Sequence, residues 1–254
     1  MTQSHARAAK SIDEVIGRMR AIEARLDPAD GVACFTRMYL RVAELTGRQL
    51  AAGSFQDRAF VEDLAVFLAH QYVDAVDAAD AGRPVNEAWQ PLFEARDDRA
   101  VRPIQFAFAG MSAHLSHDLP LALVATCIER RTTPDTPPVH ADHLRAAELL
   151  EEAETEARAS FGAELTAPDA RAAESLRHLV GSFSVARALD AAWATTQTLW
   201  HERNLRPFHD ATLAAVTGGA VLAARLLVTP VLPPVEPPGG SPVEPPAEPP
   251  VAGD

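Results

Sequence analysis

The stretch from 103 to 128, PIQFAFAGMSAHLSHDLPLALVATCI, constrains this chain more than any other: between Arg102 and Glu129 the only acidic or Lys/Arg residue is Asp118. A helix that is apolar on nearly every side is either the buried centre of a helical domain or a membrane span. Gln105, Ser112, His114, Ser116, His117, Asp118 and Pro120 crowd its middle, where ionisable groups are costly in lipid. The segment therefore reads as a central helix that other helices must wrap.

The flanking sequence supplies them. Ile12, Val15, Ile16, Met19, Ile22 and Leu26 recur at three-and-four spacing over 11–26, and Pro28-Ala-Asp-Gly closes that run. The same period continues through 31–52 and 56–81, each ended by a glycine-containing break, and a short turn of helix is expected around 87–95. Beyond the central segment, 139–163 and 207–228 read as helices, and 167–204 as one helix or two with Gly181 as the break. β-rich runs bounded by turn pairs are nearly absent. The expected fold is all-α, a bundle of seven or eight helices over residues 11–229 around a Pro-kinked central helix, preceded by a flexible 1–10.

Half of the 20 prolines lie after Thr229, in repeats of V-E-P-P and A-E-P-P. Nothing there nucleates a core, so 230–254 reads as a disordered Pro/Glu-rich tail, either a solubilising appendage or a ligand for a proline-recognition domain. A net charge of −12 and a pI near 5.2, with no basic cluster, argue against nucleic acid as a partner. Cys34 and Cys127 sit in apolar contexts and form no disulfide framework or zinc motif. The N-terminus lacks the apolar run of a signal peptide, and neither it nor the central segment reads as a membrane anchor. A cytoplasmic location is the resulting expectation.

The polar residues inside the central helix could carry chemistry. His114, His117 and Asp118 are spaced i, i+3 and i+4, so they share one helical face. Pro120 removes a backbone N–H and crowds the carbonyl of Ser116, which predicts a kink or opening beside them. A lone buried carboxylate needs a cation or several donors. Two imidazoles and a carboxylate suit Zn²⁺ or non-haem Fe²⁺, which would activate a water for hydrolysis of a small molecule or support oxidation. A second cluster, His140-Ala-Asp142-His143, follows a loop of about eight residues and sits on an antiparallel neighbour. His114, Asp118 and Asp142 are the candidate metal ligands, with His117 and His140 the candidate catalytic side chains beside them. Two other readings stand alongside: a buried hydrogen-bond network, with Asp118 paired to an arginine of another helix, in a protein that binds a small ligand or a partner, and a metal-free acid–base pocket.

Asp74, Asp77 and Asp80 share a helical face, as in helices that hold Mg²⁺ and a diphosphate, although such runs are usually a solvated surface. Arg187 and Asp190 suggest an interhelix ion pair, Trp193 an aromatic anchor, and His201, His209 and Asp210 surface positions. No dinucleotide fingerprint, P-loop, G-x-S-x-G or H-E-x-x-H occurs.

With ACFTRMYL, GRPVNEAWQPLFEAR, AHLSHDLP, HADH and SVARALDAAW taken together, the chain resembles an uncharacterised actinobacterial all-helical family, a domain of unknown function, over most of 11–228. In that family's pattern an Asn precedes the Ala-His pair and a Tyr follows the later Asp, where this chain has Ser112 and His143. The resemblance implies a shared site at His114, Asp118, His140 and Asp142 and identifies no reaction.

Overall fold

A computed structural model of the chain describes residues 10–160, 174, 176–179, 181 and 183–231. The expected flexible N-terminus up to residue 9, most of the segment from 161 to 182, and the proline-rich tail from residue 232 lie outside the described residues. Among those described, all regular structure is helical: α1 (Ile12–Arg25), α2 (Gly31–Ala51), α3 (Arg58–Asp80), α4 (Gln90–Ala95), α5 (Pro103–Ala113), a π turn (His114–Asp118), α6 (Leu119–Glu129), α7 (Pro137–Ser160), α8 (Val185–Glu202) and α9 (Arg206–Leu227). Residues 103–129 form one continuous helical run in three segments, α, π and α, as the apolar segment demanded, and the chain is an all-α bundle.

Local chemistry sets most of the boundaries. Ser11, Asp30, Asp57 and Ser184 stand at helix N-termini and accept hydrogen bonds from the backbone N–H groups of Glu14, Val32, Phe60 and Arg187, satisfying donors that the first helical turn leaves orphaned. Gly53 and Gly82 end α2 and α3 at positive φ, 71° and 64°, a region open to glycine without steric cost. The break before α8 falls at Phe183 and Ser184 rather than at Gly181, which is helical.

Pro120 does not open the central helix. Asp118 and Leu119 both keep right-handed helical dihedrals. The disturbance is taken up one turn earlier, where the Leu119 N–H donates to the carbonyl of His114, five residues back. A π turn of this kind adds one residue to the turn without breaking the run.

The core lies where α2 crosses α5. Gly110 of α5 faces the Phe35 ring of α2, and Gly31 of α2 faces the Phe106 ring of α5, so each helix presses a phenylalanine onto the other's glycine. All four residues are buried. At the outer side of the run, the buried Gln105 donates from Nε2 to the carbonyls of Leu227 (2.8 Å) and Thr229 (2.7 Å) and fixes the end of α9. The acidic face of α3 is partnered rather than vacant: Asp77 pairs with Arg18 and Asp80 with Arg25 of α1, while Asp74 is exposed. The first pair is half-buried and the second exposed, and partly solvated pairs of this kind contribute little stability individually. Helix α9 is apolar and largely exposed. By length and composition it could cross a membrane, with mean hydropathy 1.3 and only 17% of its most apolar stretch buried.

A methyl group at Gly110 would fall inside the van der Waals envelope of Phe35. Gly110→Ala is therefore expected to cost about 1–3 kcal/mol, the usual range for overpacking a filled core. Thermal unfolding followed by circular dichroism should show a fall of several degrees with native helix content retained.

Candidate functional site

Asp118 is fully buried and is the hub of the central polar cluster. Its Oδ1 accepts a hydrogen bond from His117 Nδ1 at 2.8 Å, and its Oδ2 accepts one from the Trp89 indole N–H at 2.8 Å. His114 Nδ1 lies 3.6 Å from Oδ2, too long for a hydrogen bond but close for an ion pair. Burial pushes the Asp118 carboxyl upward, and the two imidazoles, His114 and then His117, pull it below the usual carboxylate value. The carboxylate is therefore ionised at neutral pH, so it acts purely as an acceptor and His117 carries its proton on Nδ1. The sequence raised an arginine from another helix as one possible partner for Asp118; an indole N–H fills that place.

Trp89 reaches Asp118 because of the turn that precedes α4. The Asn86 side chain accepts from the Ala88 N–H (3.0 Å) and its carbonyl accepts from the Trp89 N–H (2.9 Å), the self-capping that asparagine provides at turns. The indole is completely buried.

Around His114 the walls are aromatic. Its ring centroid lies 4.2 Å from that of Tyr39, 6.0 Å from Phe35 and 6.1 Å from Trp89, all edge-on. The imidazole is buried, and neither ring nitrogen has a hydrogen-bond partner among the described residues. Behind this layer Tyr72 shares a hydrogen bond with Thr36 Oγ1 at 2.5 Å. Burial and then the Asp118 charge hold the Tyr39 hydroxyl well above its ordinary pKa, so it stays neutral.

The second cluster, on α7, does different work. Asp142 is buried, and its two carboxylate oxygens accept from the backbone N–H groups of Gln56 and Asp57, each at 2.7 Å. It thus binds the N-terminus of α3, where the helix dipole favours an anion. His140, exposed, and His143, buried, both lie against the Trp193 ring of α8 at centroid distances of 4.7 Å. Trp193 is therefore the anchor its sequence suggested. Arg187 and Asp190 are exposed, and neither forms an interhelix ion pair among the described residues. His201 and Asp210 are exposed as well.

A cavity of about 110 Å³ connects the two clusters. His114, Tyr39, Phe35 and Leu115 line its buried part, and Asp142 and His143 its α7 side. Half-buried Val42, Leu45, Leu64, Leu68, Ala146 and Leu150 of α2, α3 and α7 form the outer part. The remaining wall is almost wholly apolar.

Of the candidate ligands, His114 and Asp142 line the cavity and Asp118 does not, and the three form no single coordination sphere. His114 and Asp118 adjoin each other, while Asp142 is committed to α3 and His140 to Trp193. No group of three or more His, Cys, Asp or Glu side chains able to hold a metal ion is found among the described residues. Sequence reasoning missed Trp89, Tyr39 and Phe35 as members of the site. The signal that pointed to Trp89 was the buried carboxylate itself, which requires donors from elsewhere, but nothing in the local spacing says which donor the fold brings.

Burial, with a further contribution from His140, lowers His143 from the ordinary 6.5 to about 4, against a hydrogen bond to the Leu189 backbone and the Asp190 charge, which raise it. Neutral His143 therefore favours folding above pH 6.5, and that contribution falls away as pH drops from 6.5 towards 4, because the unfolded chain takes up the proton first. The loss is about 3 kcal/mol at most, from 1.36 kcal/mol per pKa unit. Urea midpoints measured between pH 7.5 and 4 should decline through this window, and His143→Gln should flatten the decline.

No curated protein and no solved structure matches the chain. A family defined only as one of unknown function, DUF5995, matches residues 12–230, from the first residue of α1 to just past α9. That match spans the whole helical bundle and every residue of both clusters, and the chain belongs to this family.

Proposed function

We propose that this protein binds a small, predominantly apolar molecule that carries one hydrogen-bonding group, in the cavity between α2, α3, α7 and the π turn. One observation carries the reading. An apolar cavity reaches Tyr39 and His114, and the buried Nε2 of His114 has no hydrogen-bond partner among the described residues, while its Nδ1 faces Asp118 at 3.6 Å. Leaving a buried polar atom unpaired costs about 1–3 kcal/mol, and a ligand group meeting Nε2 would recover part of that. The cavity's size fits a compact ligand: an apolar cavity of about 150 Å³ takes up benzene in another protein. Half-buried aliphatic side chains on α2, α3 and α7 lie between the cavity and the surface.

Metal-dependent hydrolysis through His114, Asp118 and Asp142 has less in its favour. A metal bound at Asp118 would have to displace the Trp89 indole or His117, and one bound at Asp142 would uncap α3. Zn²⁺ or Fe²⁺ added to the purified protein is expected to leave its melting temperature unchanged within about 1 °C, since a ligand bound only to the folded state raises it. Near-stoichiometric uptake of either metal, lost in Asp118→Ala, would reverse this ranking.

Phenol and toluene test the binding reading directly, because they have nearly the same shape and differ by a hydroxyl in place of a methyl group. Isothermal titration is expected to show phenol binding more tightly by about fivefold, the equivalent of about 1 kcal/mol for one hydrogen bond. Tyr39→Phe should reduce that preference, and Ala146→Trp, which fills the outer cavity, should abolish binding of both. If neither compound binds at millimolar concentration, or if Ala146→Trp binds them unchanged, the cavity is not the ligand site.

A further inference from the structure

The outward face of α9 is built from residues left exposed among the described residues. Ala211, Ala215, Gly218, Leu222 and Leu226 recur at three-and-four spacing and are all exposed, with Phe208 beside them. Leu222 and Leu226 are 62% and 57% exposed and Phe208 64%. The opposite face of the same helix, with Ala220, Ala224 and Leu227, is buried. The paired glycines are the second observation. A Cβ at Gly218 or Gly219 would meet nothing within 4 Å, so no close approach among the described residues explains two adjacent glycines in mid-helix, each of which costs about 1 kcal/mol relative to alanine.

We propose that this face docks against the same face of a second copy of the chain, with the two α9 helices antiparallel about a twofold axis between Gly218 and Gly219. In that register Gly218 of one copy faces Gly219 of the other, Ala215 faces Leu222, and Ala211 faces Leu226. Each large side chain thus meets a small one, which lets helix backbones approach closely. Charge is complementary too. Asp210 and Arg225 flank the stripe on the same side, so the twofold brings the Asp210 of each copy alongside the Arg225 of the other, twice. Both are largely solvent-accessible: the Asp210 side chain is 70% exposed and 3.5 Å from His209, and that of Arg225 is 61% exposed and 4.0 Å from Glu94. A contact in which one patch meets itself is the usual closed dimer interface.

A lipid surface is the competing occupant of an apolar helix, and the observations favour it less. The chain carries a net charge of −12, which opposes approach to an anionic leaflet. Spanning a bilayer would also strip α9 from α5 and break the Gln105 hydrogen bonds to Leu227 and Thr229.

Sedimentation equilibrium of the full chain at micromolar concentration tests the proposal. The expected result is a dimer whose dissociation constant rises at least tenfold in Leu222→Glu. Asp210→Arg and Arg225→Asp should each weaken it, and combining the two should return it to within a few-fold of the starting value. Circular dichroism of the same exposed-site variants establishes that they are folded. A monomer at every concentration, a dimer indifferent to Leu222→Glu, or a double charge reversal that fails to restore affinity would each overturn it. So would a monomer that sediments with phosphatidylcholine vesicles containing phosphatidylserine.

Discussion

A carboxylate with no access to water, held in the middle of the longest helical run, governs the arrangement of this molecule. Asp118 cannot be buried ionised without donors, and it takes them from two directions: His117 on its own turn and Trp89 from the turn before α4. The second bond is a long-range constraint. It ties α4 to the central run and sets the indole as one wall of the aromatic enclosure around His114. Removing Asp118 would orphan an indole N–H and an imidazole together, whereas removing either donor leaves the carboxylate short of one bond.

The π turn and Pro120 belong to the same constraint. A proline two residues beyond Asp118 would clash with a preceding carbonyl in a regular α-helix. Widening the turn over His114–Asp118 absorbs that clash while the run remains helical. His114, His117 and Asp118 consequently sit on a turn of unusual register, packed against α8, α9 and α3, in the kind of local departure that often marks function.

The architecture was legible in the sequence because the apolar period is strong and breakers lie between the segments. Helices expected over 11–26, 31–52 and 56–81 are observed within two residues at each end, and the near-absence of charge from 103 to 128, where Asp118 is the one acidic or Lys/Arg residue, identified the buried centre. The site was legible only in part. Spacing along one helix puts His114, His117 and Asp118 together, since that is a local property. It cannot say that Asp142 turns to the N-terminus of α3, or that the partner of Asp118 is Trp89, because those pairings join residues 86 and 29 positions apart. Histidine and aspartate in proximity also suit hydrogen bonding and metal ligation alike, so composition favours neither. The Gly31–Phe106 and Gly110–Phe35 contacts were invisible for the same reason, being set by the crossing of two helices distant in sequence.

The bond between Asp142 and α3 ties the cavity to the stability of a neighbouring helix. Both carboxylate oxygens are committed to the amides of Gln56 and Asp57, while Asp142 and Ala146 of the same helix line the cavity. If α7 swings outward to admit a ligand, those amides lose their acceptor at the moment the cavity opens. Hydrogen–deuterium exchange at Gln56 and Asp57 would then report the opening frequency of the cavity, two backbone protons serving as a clock for access to a chamber they do not line.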